Sequence, residues 1–316
     1  MRFGLYLSLQ HPVERDVREV IRERIELVHL IRELGFDSVV CGQHFLVPPD
    51  VFMLQPIPML GRIVAEAGEL QVGTSILLAT LLNPVELVEQ ALTLAAMTDK
   101  PFVLGVGAGY RPEEDAAFGV PAGRIAHYTE KLRLIRKLLD GEPVTAEGPG
   151  YRLEEAVITL RAEPKPQLHV AATGEPGVRR AGRYGDAWVA STTVTLADIQ
   201  RLAPIFAEQH GGPGAALPAL RDVAVRSTDQ EARTLARPFL EPTPAPAGST
   251  PAFRPDVDTE GAYLIGSPET VIRRLREHAD AGVTEIVFRP QRPGLSLADA
   301  RETLRILADE VMPAFR

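Results

Sequence analysis

The chain has 316 residues, 45% of them hydrophobic and 24% charged, with a formal net charge of −8. That balance belongs to a globular protein and excludes a disordered or fibrous one, while the acidity argues against nucleic acid or an anionic membrane as the main partner. The single cysteine, Cys41, excludes an internal disulfide framework and any multi-cysteine metal site. No apolar run approaches the length of a membrane span, and the one at residues 1–7 is too short for a signal segment, so a cytoplasmic protein is expected.

Short apolar runs alternate with longer segments of helical period, the pattern of parallel strands joined by crossover helices. The first strand is expected at residues 3–9. An amphipathic helix follows at 17–34, with Val17, Val20, Ile21, Ile25, Val28 and Ile31 on one face and Gly35 behind its end. Strand two falls at 37–41, ending on Cys41, which reads as a small buried hydrophobe or, alternatively, as a reactive thiol. A helix near 57–66 leads to strand three at 70–74. Asn83-Pro84 suits an N-cap and first helical position, opening a helix at 84–97. Strand four is expected at 102–106 and a long helix at 123–139. Residues 142–166 break the rhythm around Gly148-Pro149-Gly150 and read as a hairpin excursion. Strand five (168–172), helix 176–184, strand six (187–190), helix 196–208, strand seven (220–225) and helix 229–239 resume it. Prolines 242, 244, 246, 251 and 255 then mark an irregular insertion at about 241–258. Helix 268–281, strand eight (283–288) and a closing helix at 296–311 complete the series. Eight strands in one chain of this length fit a single-domain (β/α)8 barrel over residues 1–316, with an open doubly wound sheet as the alternative.

In such a barrel chemistry gathers where strands hand over to loops. His44 follows the second strand in Gly42-Gln43-His44-Phe45 and is the strand-end residue able to move protons near neutral pH; His11 is a weaker second candidate. His127 and His169 read as structural. Gly105-Val106-Gly107-Ala108-Gly109 lacks the dinucleotide spacing, because Tyr110 stands where a third glycine belongs. It serves either as a close approach to a flat ring or as a tight strand exit. Tyr110 and Arg111 beside it are candidate substrate contacts. Thr173-Gly174-Glu175-Pro176-Gly177-Val178 joins a strand to a helix, either as a phosphate cradle or as an ordinary helix start. Arg226 and Arg289 follow strands seven and eight. No His, Asp or Glu set stands at metal-ligand spacing, and there is no G-x-S-x-G elbow.

Several ordered motifs resemble the bacterial luciferase-like superfamily. They are Gly35-Phe36-Asp37-Ser38-Val39, Gln43-His44-Phe45, Val72-Gly73-Thr74-Ser75-Ile76-Leu77-Leu78, Asn83-Pro84, Leu104 to Tyr110, Arg183 to Trp188 and Gly266 to Val271. The resemblance implies a TIM barrel with a flavin or deazaflavin across its C-terminal mouth. It implies that Ser75 and Ile76 back the ring through a non-prolyl cis peptide, that Gly107, Ala108 and Gly109 flank it, and that Thr173, Gly174, Gly177 and Val178 hold the phosphate. His44 matches a histidine that is catalytic in family monooxygenases. Luciferase proper has an arginine where this chain has Ala108, and Gln43 replaces an acidic residue often found before the histidine. The leading expectation is an FMN-dependent monooxygenase, fed reduced FMN by a separate flavin reductase and oxidising a small organic substrate with oxygen. The alternatives are a deazaflavin-dependent oxidoreductase that transfers hydride, and a flavin-binding protein without turnover. The family is frequently dimeric, and a homodimer through helices 57–66 and 84–97 is expected because the latter carries more apolar residues than one stripe requires.

Overall fold

The computed structural model describes residues 1–211, 215–240, 262–292 and 295–316. The chain opens on strand β1 (Arg2–Tyr6), turns through the short β2 (Gln10–Pro12) and enters helix α1 (Val17–Glu33). Asp16 starts that helix by accepting the Glu19 amide, and Gly35 closes it at a φ of 74°, a left-handed conformation glycine adopts without side-chain cost. Next come β3 (Ser38–Cys41), β4 (Val51–Met53), α2 (Pro56–Ile63), β5 (Gln71–Thr74), β6 (Leu77–Leu78) and α3 (Pro84–Ala95), whose N-cap Asn83 accepts the Val85 amide. After β7 (Val103–Gly107) lie the short α4 (Pro112–Ala117) and the long α5 (Arg124–Asp140). Strands β8 (Val144–Gly148) and β9 (Tyr151–Ala156) pair antiparallel, which is the hairpin expected at 142–166. The remainder runs β10 (Gln167–Ala172), α6 (Glu175–Tyr184), β11 (Ala187–Ala190), α7 (Leu196–His210) and β12 (Pro218–Val225). It ends with α8 (Asp229–Leu240), β13 (Tyr263–Gly266), α9 (Pro268–Asp280), β14 (Glu285–Arg289) and α10 (Leu297–Ile306).

Strands β1, β3, β5, β7, β10, β11, β12 and β14 pair side by side in that order, all parallel, and β14 returns to β1. The sheet is therefore a closed barrel with helices around it, a (β/α)8 TIM barrel. Its bore is packed: Tyr6, Val40, Leu220 and Val287 meet inside, leaving a cavity of about 20 Å³ bordered by Ser38, Gln71, His169 and Glu285. Each strand's carboxyl end opens on the same rim, so residues 42–45, 74–77, 107–111 and 173–178 all face one mouth.

Element ends move where tertiary pairing overrides local pattern. β1 stops at Tyr6 because the chain bends to let β2 pair with β4 beside the mouth. β13 was not expected; it pairs with the half of β12 that extends beyond β14. The last helix loosens at Ile306 into a π turn and then a 3-10 turn. The proline-rich stretch at 241–258 lies outside the described residues. The apolar surplus of α3 is absorbed within the protomer: Leu87, Val88, Ala91, Leu92, Leu94 and Ala95 are all buried. The groove between α2 and α3 is bordered by Ile57, Val85 and Leu94 together with Glu86, Glu89, Gln90 and Thr93. Among the described residues no helix is long and apolar enough to cross a membrane.

Behind β12, Arg221 is fully buried between barrel and helices. It donates to the carbonyls of Ser191, Leu220 and Val194 and, from Nε, to His278 Nε2 at 3.0 Å. The other His278 nitrogen, Nδ1, bonds the Arg274 carbonyl, so the ring is a neutral acceptor. Burial, then the nearby arginines, push its pKa down to about 4. A folded-state pKa below the unfolded one contributes stability above about pH 6.5 that is lost as pH falls toward 4. Unfolding free energy is thus expected to drop from pH 6.5 to 5, and to drop less in His278→Gln. Identical pH slopes for parent and variant would contradict this.

Candidate active site

The mouth is built where β5 and β7 press together. Thr74 Oγ1 both donates to the Gly105 carbonyl and accepts from the Gly105 amide, each at 2.8 Å. A Cβ on Gly105 would lie 2.0 Å from the Thr74 carbonyl oxygen, and one on Gly107 would lie 2.3 Å from Ile76 Cδ1. Those two glycines are therefore a requirement of close approach, Gly105 against the Thr74 backbone and Gly107 beneath the Ile76 side chain. The Ser75–Ile76 peptide is cis, as the family pattern implies. Gln43 holds this segment from the neighbouring strand, its amide donating to the Ile76 carbonyl at 3.0 Å and its side chain accepting the Leu78 amide at 3.2 Å. Below Ala108, Thr80 Oγ1 donates to the Ala108 carbonyl, and the buried Lys131 amino group clamps the Thr80 and Leu82 carbonyls at 2.7 Å each.

His44 stands on the rim after β3. Its Nδ1 is 3.0 Å from Glu114 Oε1, and its ring meets Tyr110 edge-on at 5.5 Å between centroids. Glu114, on α4, is 1% exposed and also accepts the Phe45 amide at 2.8 Å. Burial alone would raise its pKa, but the bonds from His44 and Phe45 and the charge of Arg111 hold it below the ordinary carboxylate value. The result is an imidazole oriented by a buried carboxylate, with Nε2 left to exchange a proton. Tyr110 is half exposed and lines the open mouth. Arg111, expected to touch substrate, is instead committed to the loop: it donates to the Phe45 and Leu46 carbonyls at 2.7 and 2.9 Å, fixing Leu46 at a φ of 46°.

Across the mouth, α6 begins at Gly174 with no side chain capping its first turn. Open space surrounds the Gly174 α-carbon, while Gly177 and Val178 donate to the Gly174 carbonyl at 3.0 Å each, and Gly177 packs against Ala172 too closely for a Cβ. Glu175 does not oppose an anion here, because its carboxylate is turned along the helix onto Arg179 at 2.9 Å. The Ile76 segment packed over Gly107 and an uncapped helix start at Gly174 fit a flat ring joined to a phosphate. The other histidines are structural. His11 packs on Phe52, and His169 lies in the barrel wall; burial lowers each to about 4. Cys41 is buried, and burial pushes its thiol up, away from reactivity. Among the described residues no group of three or more His, Cys, Asp or Glu could hold a metal ion.

Sequence reasoning missed Glu114, Asp222 and Arg292. Asp222 and Arg289 face each other inside the mouth, with Arg289 Nη2 2.8 Å from Asp222 Oδ2. Arg226, by contrast, points outward to Thr303, Asp299 and Glu302.

A closed parallel barrel thus carries an oriented imidazole and an uncapped helix start on one rim. The family model for luciferase-like monooxygenases matches residues 1–285, and the chain belongs to that family. It is 28% identical over 355 residues to the F420-dependent glucose-6-phosphate dehydrogenase of Beutenbergia cavernae, covering 100% of this chain and 98% of that protein. Its fold matches the monooxygenase RslO1 from Streptomyces bottropensis, with a TM-score of 0.83 at 18% identity over 100% of both chains. It also matches an F420-dependent secondary alcohol dehydrogenase, with a TM-score of 0.80 at 20% identity over 100% of this chain and 99% of that one.

Proposed function

We propose that this chain is a deazaflavin-dependent oxidoreductase that interconverts an alcohol and a carbonyl. The observation that carries the reading is the His44–Glu114 pair on the rim, which supplies one proton-exchanging nitrogen at the mouth. The full-length likeness to an F420-dependent dehydrogenase supports it. A deazaflavin coenzyme bound there would supply hydride acceptance and donation. His44 would take the hydroxyl proton of an alcohol whose carbon loses a hydride, two electrons and two protons leaving the alcohol in all, and would return that proton to the carbonyl oxygen in the reverse direction. Glu114 keeps the imidazole oriented. The uncapped start of α6 at Gly174 would hold the coenzyme phosphate, the Gly177 and Val178 amides being taken by the Gly174 carbonyl, and Ile76, Gly107, Ala108 and Gly109 would wall the ring.

The second reading, an FMN-dependent monooxygenase using reduced FMN from a separate reductase, is favoured by one observation. The net charge of −8 disfavours a coenzyme with an acidic tail. Titration by cofactor fluorescence separates the two. The deazaflavin coenzyme is expected to bind about tenfold or more tightly than FMN, a difference of about 1.4 kcal/mol or more. Tight FMN binding with no measurable affinity for the deazaflavin would reject the first reading in favour of the second.

A further inference from the structure

Successive residues of β1 alternate between the two faces of the barrel wall. Gly4 faces the bore, where a Cβ would meet Ser38 and Glu285, and Tyr6 points the same way, packed with Val40, Leu220 and Val287. Tyr6 is the last residue of β1, and its ring rises to the mouth. A Cβ on Gly42, just past the end of β3, would lie 2.5 Å from Tyr6 Oη and 3.1 Å from the Ser75 carbonyl oxygen. The glycine thus leaves room for the hydroxyl beside the segment that carries the cis Ser75–Ile76 peptide. Arg289 lies over the Tyr6 ring at 5.8 Å, held in place by both oxygens of Asp222. Burial keeps the Tyr6 phenol above the usual tyrosine range, with the charges of Arg289 and Arg292 acting the other way. Tyr6 is therefore a protonated donor, and among the described residues no hydrogen bond engages its hydroxyl. A tyrosine set this deep ordinarily has a partner for that group.

We propose that the Tyr6 hydroxyl donates a hydrogen bond to a carbonyl oxygen on the pyrimidine edge of the cofactor ring. The inference rests on the reading of this mouth as the seat of a flat ring joined to a phosphate, and it is the same for a flavin and a deazaflavin, whose rings share that edge. The strand order sets the direction. The helix start at Gly174 follows β10, and the Ile76 and Gly107 segments belong to β5 and β7, the strands next in line. A ring laid across those segments from a phosphate at Gly174 extends toward β3 and β1, where Tyr6 stands. The two edges of such a ring differ in chemistry: the pyrimidine edge presents carbonyl oxygens and the benzenoid edge hydrocarbon. The acceptor edge satisfies the hydroxyl, whereas the hydrocarbon edge would bury it unpaired. Tyr6 then fixes which edge of the ring enters the mouth.

The test is fluorescence titration of FMN and of the deazaflavin coenzyme into the parent protein and Tyr6→Phe, with the visible absorption of the bound ring recorded at saturation. Tyr6→Phe is expected to weaken binding of the cofactor that the parent takes by about three- to tenfold. It is also expected to shift the visible band of the bound ring, with the melting temperature close to the parent's. Gly42→Ala, which crowds the hydroxyl without removing it, is expected to act in the same direction and stands in if the Phe variant does not fold. Equal affinity and superimposable spectra in parent and Phe variant would overturn the proposal while leaving the cofactor reading intact. A loss of affinity with an unshifted band would also overturn it, by assigning the hydroxyl to the shape of the pocket and not to the ring. A parent that binds neither cofactor would overturn the cofactor reading itself, and this inference with it.

Discussion

His44→Ala or His44→Gln is expected to lower turnover about 10²–10⁴-fold while leaving cofactor affinity and melting temperature close to the parent's. The imidazole is the group on the rim with a nitrogen free to exchange a proton, and its contacts are few: Glu114 at Nδ1 and the edge of Tyr110. Removing the ring leaves Glu114 still bonded to the Phe45 amide and close to Arg111, so the loop keeps its shape. The ring wall and the phosphate cradle lie on other strands and are untouched. Glu114→Gln is the companion variant. It retains the Phe45 contact but holds the His44 ring less firmly, so a smaller loss is expected. Single-turnover rates within about threefold of the parent for the His44 variants, together with a lowered melting temperature, would show that His44 only packs.

The largest stability effect is expected at Trp188, the bulkiest fully buried side chain. It sits on β11 between barrel and helices, 6.1 Å from the Phe206 ring of α7, and its indole nitrogen donates to the Ala172 carbonyl at 2.9 Å. Trp188→Ala removes that volume from a close-packed layer and is expected to cost about 3–5 kcal/mol. Trp188→Phe keeps most of the volume but leaves the Ala172 carbonyl without its donor, for about 1–3 kcal/mol. Because Ala172 immediately precedes Thr173 and Gly174, the Phe variant should also loosen cofactor binding. Urea unfolding that places Trp188→Ala within about 1 kcal/mol of the parent would mean that the layer closes over the gap and that packing there is not decisive.

The barrel was legible because each of its eight strands is a short apolar run bounded by a helix of clear period, and position at a strand end was enough to select His44. Glu114 was not legible. It lies 70 residues from His44 in the run Glu113-Glu114-Asp115, which reads as a solvated acidic helix start; only the turn after β7 swings it beneath the imidazole. The partners of Arg111 are hidden for a related reason: its place after a strand does not reveal that the carbonyls of Phe45 and Leu46 accept its guanidinium. A usable signal for the Arg221–His278 and Asp222–Arg289 pairs is present in Leu220-Arg221-Asp222-Val223. Adjacent opposite charges inside an apolar strand point to opposite faces of the sheet, so each needs its own buried partner. The strand Tyr263–Gly266 is too short for a periodicity argument, and its pairing depends on β12 running past β14.

The most direct test of a hydride-transferring mouth is whether turnover needs oxygen. With the deazaflavin coenzyme and an alcohol substrate, rates are expected to be the same in air and under strict anaerobiosis, with one coenzyme reduced for each carbonyl formed. Turnover that stops without oxygen, with an oxygen atom from the gas appearing in the product, would contradict that assignment.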